Sequence, residues 1–139
     1  MVEREREKVV AIVDDDGSVR TALLGLLKSA GIPARAFSSA EEFLRSRAEP
    51  ETSCLVLDLR MPGMSGLELQ AHLGARSAGI PVLFVTAHGD AEARARAMRA
   101  GAIQFLQKPF DDEELLEGIR AATGGGTAGK PTTRGGTGG

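Results

Sequence analysis

The chain has 139 residues, 42% of them hydrophobic, and a formal net charge of −2, which suits one globular domain rather than two. This charge gives no overall electrostatic basis for binding nucleic acid or anionic lipid, and we predict that the chain itself binds neither nucleic acid nor membrane. The sequence starts with charged residues and has no apolar run of the length that a membrane span needs. We therefore expect a cytoplasmic protein.

Five short apolar runs recur along the chain, and a helix-like pattern follows each of them. The runs cover residues 9–13, 33–37, 54–57, 81–85 and 102–106. Several are apolar almost throughout, which is typical of parallel strands that are covered on both faces. The single cysteine, Cys54, opens the third run, and we interpret it as a small buried hydrophobe.

The segments between the runs carry helix periodicity and signals for helix ends. These signals are the Gly31 and Pro33 stop, the Ser39 with Glu42 capping box, the Ser65 start, the Gly101 end and the Asp111 with Glu114 start. Five βα units in a row, (βα)5, predict an α/β fold, a doubly wound five-stranded parallel sheet with helices on both faces. We expect a charged lead at 1–8, the domain at 9–122, and a disordered Gly-rich linker or added tail at 123–139.

Chemically reactive side chains follow four of the five predicted strands. They are Asp14, Asp15 and Asp16 after the first, Asp58 after the third, Thr86 after the fourth, and Lys108 with Pro109 after the fifth. Taken alone, an aspartate run before a helix is more typical of a solvated cap. In an open parallel sheet, however, ligands bind at the carboxyl ends of the strands, so we expect these side chains to converge on one rim.

Asp58 follows the buried run LVL, where a charge close to other carboxylates is costly without a cation. Mg²⁺, or Mn²⁺ in its place, prefers oxygen ligands and is commonly held by one or two carboxylates and a phosphate. The remaining groups have roles around a phosphoryl group, with Asp58 as nucleophile, Lys108 neutralising one oxygen and Thr86 donating a hydrogen bond to another. The pattern therefore predicts a site that makes and breaks a phosphoryl bond.

From Val9 to Ala122 the chain resembles the receiver domain of bacterial two-component response regulators. The motifs that carry the resemblance are IVDDD followed by SVR, LDLRMPGMSG around Asp58, LFVTAHGD at Thr86 and FLQKPF at Lys108. In combination they resemble the FixJ-like branch, whose members usually join the receiver to a DNA-binding helix-turn-helix domain. The fold that this implies is the flavodoxin-like or CheY-like one.

The resemblance implies that Asp58 accepts a phosphoryl group from a phosphohistidine on a sensor histidine kinase. Asp15 would contact Mg²⁺ directly and Asp14 mainly through water. Asp58 itself and the backbone carbonyl of Arg60 would complete the protein ligands. The chain would then be a signalling phosphoacceptor that catalyses only its own phosphotransfer and autodephosphorylation, and not an enzyme that acts on other substrates.

Thr86 and Phe105 match the switch pair of the family, in which the hydroxyl moves toward the phosphoryl group and the ring turns inward. Lys108 would pair with the phosphoryl group, and the bond from Lys108 to Pro109 is expected to be cis. His88 is interpreted either as a neighbour of the pocket or as an ordinary loop histidine. The readout surface would comprise the fourth helix, the fifth strand and the fifth helix, either as a solvated charged face or as a phosphorylation-dependent dimer surface.

An alternative is a phosphatase of the haloacid dehalogenase type. The sequence VAIVDDDGS would then supply Asp14 as nucleophile and Asp16 as acid and base. The later motifs of that class would be filled by Thr86, Lys108, Asp111 and Asp112. Against this alternative, Ser18 stands where threonine or valine is usual, and Asp58 would have no role.

Two further alternatives have weaker support. A nucleotide-binding loop is suggested by the sequence GGGTAGK at 124–130, but Pro131 replaces the required serine or threonine and no helix can follow. A flavodoxin-like binding module without phosphorylation is weakened by the absence of tryptophan and tyrosine, the usual ring-stacking residues.

Overall fold

The protein is described by a computed structural model that covers residues 8–75, 79–87 and 89–124. Most of the predicted lead and tail, the GGGTAGK sequence after Gly124 and the predicted pocket neighbour His88 lie outside the described residues. Within the described ranges, every helix is too short or too polar to cross a membrane.

Strands and α-helices alternate along the described chain in the predicted βα order. The strands are β1 (Val9–Val13), β2 (Ala34–Phe37), β3 (Thr52–Leu57), β4 (Val82–Thr86) and β5 (Gln104–Gln107). The helices are α1 (Gly17–Ser29), α2 (Ala40–Ser46), α3 (Gly66–Ala75), α4 (Ala91–Arg99) and α5 (Asp112–Ala122), with a short 3-10 helix at Glu49–Glu51.

The fifth strand begins later than its apolar run predicts. Gly101 has a φ of 105°, and the N–H of Ala102 donates to the carbonyl of Ala97 at 3.0 Å, so Ala102 belongs to the end of α4. The ladder to β4 starts at Ile103, whose N–H donates to the carbonyl of Val82 at 2.9 Å. Burial of Ala102 therefore reflects helix termination rather than strand pairing.

All five strands are parallel, in the order β2-β1-β3-β4-β5. The chain winds outward in one direction from β1 to β2 and in the other from β3 to β5. Such a reversal opens a crevice at the carboxyl ends of the two strands on either side of it, which is where ligands bind in this class of sheet. The predicted fold class is confirmed, and the topology places the crevice between β1 and β3.

Two apolar clusters cover the two faces of the sheet. On β1, Val10 and Ile12 contact the cluster that contains the buried side chains of α1 and α5. Ala11 and Val13 point to the other cluster, which contains buried residues of α2, α3 and α4. Cys54 is fully buried in the first cluster, where desolvation raises the pKa of its thiol to about 12, so it packs as the predicted small hydrophobe.

Candidate functional site

Backbone hydrogen bonds continue beyond the ends of the strands and set the position of the site residues. The N–H of Asp58 donates to the carbonyl of Val13 at 3.0 Å, which places Asp58 beside Asp14. On the far side of β4, the N–H of Lys108 donates to the carbonyl of Thr86 at 2.9 Å. The ends of β1, β3, β4 and β5 therefore bring these functional groups to one rim of the sheet.

Three carboxylates meet at this rim. One oxygen each from Asp14, Asp15 and Asp58 lies within 4.8 Å of the other two. Asp14 and Asp58 are only 2% and 6% exposed, whereas Asp15 is open to solvent. The ammonium Nζ of Lys108 lies 3.3 Å from Oδ2 of Asp14. A mostly buried acidic cluster with one lysine at its side is the arrangement that the strand ends predicted.

Asp58 is a buried carboxyl group whose charge the protein compensates incompletely. Burial, and then the negative charge of Asp14, raise its pKa above the ordinary value. A hydrogen bond from the Thr86 hydroxyl, the charge of Lys108 and the N–H of Leu59, 2.7 Å from Oδ1, act in the opposite direction without cancelling the effect. Additional positive charge at this position would therefore favour the ionised form of Asp58.

The chemistry of these donors fits a hard divalent cation. Carboxylate oxygens are the ligands that Mg²⁺ prefers, and a partly exposed cluster leaves room for the water ligands that Mg²⁺ retains. Arg60, the predicted carbonyl ligand, lies in the exposed part of the loop between β3 and α3, two residues after Asp58. An acidic cluster that suits Mg²⁺ is thus present at the predicted place.

The third aspartate of the run has a different task from its two neighbours. Asp16 is the N-cap of α1, and its Oδ1 accepts from the N–H of Ser18 at 2.9 Å and from the hydroxyl of Ser18 at 2.7 Å. These bonds lower the pKa of Asp16, the Ser18 hydroxyl most of all. An acid and base of the phosphatase type needs a carboxyl group that can hold a proton, so this geometry argues against that role for Asp16.

The predicted switch pair lies under the loop between β4 and α4. Thr86 is fully buried, and the half-buried ring of Phe105 lies 5.8 Å from that of Phe84. A Cβ atom on Gly89 would be 2.6 Å from Cε1 of Phe105 and 3.2 Å from Cγ2 of Thr86. The side-chain amide of Gln107 donates to the carbonyl of Gly89 at 3.1 Å. Glycine at position 89 therefore lets this loop pack directly on both members of the pair.

The remaining predicted residues fall at the edge of the site. The peptide bond between Lys108 and Pro109 is cis. Asp111 is exposed and caps α5, accepting from the N–H of Glu113 at 2.9 Å. In the phosphatase alternative Asp111 would fill a catalytic motif, but here it serves as a helix cap.

Sequence reasoning missed two residues that support the aspartates. Nη1 of Arg20 donates to the backbone carbonyl of Asp14 at 2.8 Å. A Cβ atom on Gly66, the first residue of α3, would lie 2.1 Å from the backbone carbonyl oxygen of Asp58 and 3.0 Å from Cε1 of Phe84. Both residues lie in motifs that carry the resemblance, Gly66 in LDLRMPGMSG and Arg20 in SVR, but neither motif indicates the contact that the residue makes.

Known proteins resemble the chain in both sequence and structure. The family model described as "Response regulator receiver domain" matches residues 10–120. Nodulation protein W of Bradyrhizobium diazoefficiens is 47% identical over 121 residues, 87% of this chain and 53% of that protein. The transcriptional regulatory protein FixJ of Azorhizobium caulinodans is 44% identical over 115 residues, 83% of this chain and 54% of FixJ. The solved response regulator StyR is 52% identical with a TM-score of 0.78, covering 85% of this chain and 60% of StyR.

The chain belongs to the response regulator receiver family, whose members are phosphoacceptors of two-component signalling. Its relatives include FixJ itself, which supports the predicted FixJ-like branch. The chain spans about half the length of the curated relatives that it matches. The comparisons support the receiver prediction and not the phosphatase alternative.

Proposed function

We propose that Asp58 is the residue that accepts the phosphoryl group, and that a phosphohistidine on a sensor histidine kinase donates it. The observation that carries this proposal is the environment of Asp58. It is a buried carboxyl group beside Asp14, with the Thr86 hydroxyl bonded to it and the Lys108 ammonium close by. A nucleophilic oxygen, a hydrogen-bond donor and a cation together suit phosphoryl transfer.

In the proposed reaction an oxygen of Asp58 forms a bond to phosphorus. The bond from phosphorus to the histidine nitrogen of the kinase breaks, and that nitrogen keeps the electron pair. Lys108 neutralises one phosphoryl oxygen, and the Thr86 hydroxyl donates to another. Later attack of water on phosphorus releases phosphate and restores the carboxylate. The chain thus catalyses only its own phosphotransfer and autodephosphorylation, as a signalling phosphoacceptor.

Asp14, Asp15, Asp58 and the carbonyl of Arg60 are the proposed ligands of Mg²⁺ or Mn²⁺. When bound, the ion supplies positive charge that offsets the carboxylates and the incoming phosphoryl oxygens. The salt bridge between Lys108 and Asp14 supports this assignment, since it holds the Asp14 side chain at the rim beside Asp15 and Asp58. A divalent ion would also supply the positive charge that the surroundings of Asp58 lack.

The proposed output is a change in the surface formed by α4, β5 and α5. The proposed switch pair is the buried Thr86, which bonds to Asp58, and the half-buried Phe105. Gly89 packs on both side chains and lies two residues before α4, so the pair connects Asp58 to this surface. Met98 on α4 and Ile103, the residue before β5, are large apolar side chains that are 37% and 44% exposed, and a dimer contact at this surface would cover them.

Phosphorylated protein should dimerise more strongly than unphosphorylated protein if this surface is a contact. We expect a rise in sedimentation coefficient after treatment with a small-molecule phosphodonor and Mg²⁺, and no rise in the variant Ile103→Lys treated in the same way. A variant that is phosphorylated and still dimerises would exclude this surface as the contact.

The names of the relatives support a wider proposal for the protein to which this receiver belongs. FixJ and its relatives are named as transcriptional regulatory proteins, so we propose that this receiver, at residues 9–122, controls an output of that kind from the cytoplasm. The sensor kinase would be its upstream partner.

Direct mapping of the phosphorylated residue tests the proposed acceptor. The protein is incubated with a small-molecule phosphodonor, with Mg²⁺ or with a chelator, and the acyl phosphate is then reduced with borohydride before peptide mass analysis. We expect one modified residue, Asp58, and modification only with Mg²⁺. Modification of Asp14 instead would contradict the proposal.

A further inference from the structure

The loop between β3 and α3, residues 58–65, is attached to a helix that is distant in the sequence. Oε2 of Glu41, in the first turn of α2, accepts a hydrogen bond from the N–H of Met64 at 2.8 Å. Gly63 has a φ of 79°, and a Cβ atom on it would lie 2.6 Å from the same oxygen. The Glu41 carboxylate thus occupies the space that a side chain at position 63 would need.

The two ends of this loop are held by other contacts. At the start, Oδ1 of Asp58 accepts from the N–H of Leu59. At the end, Oε1 of Glu68 accepts from the N–H of Ser65 at 2.8 Å, and the N–H of Glu68 donates to the Ser65 hydroxyl at 3.1 Å, a reciprocal capping box for α3. Between these anchors lie residues 60–63, in which the Met61 side chain is buried in the core while Arg60, Pro62 and Gly63 are exposed. The Glu41 contact holds the exposed side of this stretch at its C-terminal end.

We infer that Glu41 is a positioning residue for the metal site, because it fixes the loop that carries the backbone carbonyl of Arg60. This inference rests on the proposed function, in which that carbonyl is a metal ligand. Groups that orient ligands from outside the coordination sphere commonly change metal affinity by about tenfold to a hundredfold when they are removed. The carboxylate suits this task, since a charged acceptor makes a stronger hydrogen bond to a backbone N–H than a neutral one does.

The hydrogen bond from Met64 also lowers the pKa of Glu41, so the carboxylate is ionised at neutral pH. Its position in the first turn of α2 is favourable for a negative charge, which the positive end of the helix stabilises. Glu41 can therefore keep its contact with the loop under the conditions in which phosphotransfer takes place.

Glu42 offers a matched control at the same helix end. Its Oε1 accepts from the N–H and the hydroxyl of Ser38, both at 2.7 Å, and it makes these bonds away from the β3–α3 loop. Glu41→Ala and Glu42→Ala therefore remove the same chemical group from adjacent positions. Only the first removes a contact with the loop.

The experiment measures Mg²⁺ binding to the unphosphorylated protein by calorimetry. We expect Glu41→Ala to weaken binding about tenfold and Glu41→Gln to weaken it less, because the amide oxygen can still accept from Met64. Glu42→Ala should bind Mg²⁺ as the wild type does, even if its melting temperature falls. At saturating Mg²⁺ the rate of phosphoryl uptake by Glu41→Ala should return close to that of the wild type.

Asp15→Asn separates the two proposals. If Asp15→Asn weakens Mg²⁺ binding and Glu41→Ala does not, the inference about Glu41 is wrong and the metal site stands. Equal weakening by Glu41→Ala and Glu42→Ala, or a slow rate that saturating Mg²⁺ does not restore, shows a general structural effect and also overturns the inference. Unchanged binding in Asp15→Asn would overturn the proposed metal site, and the inference with it.

Discussion

Replacement of Asp58 by asparagine is expected to abolish phosphoryl uptake completely and, in magnesium-free buffer at neutral pH, to raise the free energy of unfolding. Both effects follow from the loss of the Asp58 carboxylate. The variant lacks the oxygen nucleophile, and it also lacks the buried charge that the protein compensates incompletely, since burial and Asp14 raise the pKa of Asp58. Intact mass after treatment with a phosphodonor measures the first effect, and denaturant unfolding measures the second.

The stability difference should depend on pH in a defined direction. A carboxyl group whose pKa is higher in the folded state than in the unfolded state lowers the free energy of unfolding once the pH exceeds the unfolded-state pKa, here 3.8. This loss of stability reaches its full size above the folded-state pKa. The advantage of the Asp58→Asn variant should therefore vanish below that unfolded value and grow as pH rises. Mg²⁺ should narrow the difference at neutral pH, because it binds and stabilises the folded wild type.

Asp16→Asn is the matched control, since it makes the same chemical change at an exposed cap on the same rim. Asparagine caps helices about as well as aspartate does, so this variant should keep both phosphoryl uptake and stability close to those of the wild type. Phosphoryl uptake by Asp58→Asn would contradict the assignment of the acceptor. A lower stability of Asp58→Asn in the absence of Mg²⁺ would contradict the electrostatic explanation.

The fold could be predicted from the sequence because its signals are local. Apolar runs covered on both faces and the helix-end signals between them define a βα repeat, and each depends on a few adjacent residues. The start of β5 was misjudged since Ala102 is apolar and buried but closes α4. The order of the strands depends on contacts between distant segments, which the pattern of apolar runs does not contain.

The site was predictable to the extent that it lies at strand ends. Position after a buried strand was enough to select Asp58, and the resemblance supplied the roles of its neighbours. The sequence could not assign separate roles to the three adjacent aspartates. Asp14 and Asp15 belong to the acidic cluster whereas Asp16 caps α1, and this difference depends on the backbone turn between them. The contact from Glu41 to Met64 spans 23 residues and leaves no local pattern.

Gly66→Ala is expected to reduce both stability and phosphoryl uptake strongly. The added Cβ atom would lie 2.1 Å from the backbone carbonyl oxygen of Asp58, about 1 Å closer than such atoms normally pack. Backbone cannot rotate away as a flexible side chain can, so α3 and Asp58 must separate. We expect a loss of about 2–3 kcal/mol in the free energy of unfolding. Displacement of the nucleophile should slow phosphoryl uptake about 100-fold.

Gly74→Ala makes the same substitution in the last turn of the same helix, where nothing lies within 4 Å of the new Cβ atom. Alanine is the better helix former, so this variant should gain about 0.5–1 kcal/mol and keep its phosphoryl uptake. Denaturant unfolding and a time course of intact mass compare the two variants. If Gly66→Ala matched Gly74→Ala in both measurements, the close approach of α3 to Asp58 would not be needed for the site. If Gly66→Ala lost stability but kept the wild-type rate, the approach would serve packing alone, and Asp58 would be positioned by its strand and by its hydrogen bonds to Leu59 and Thr86.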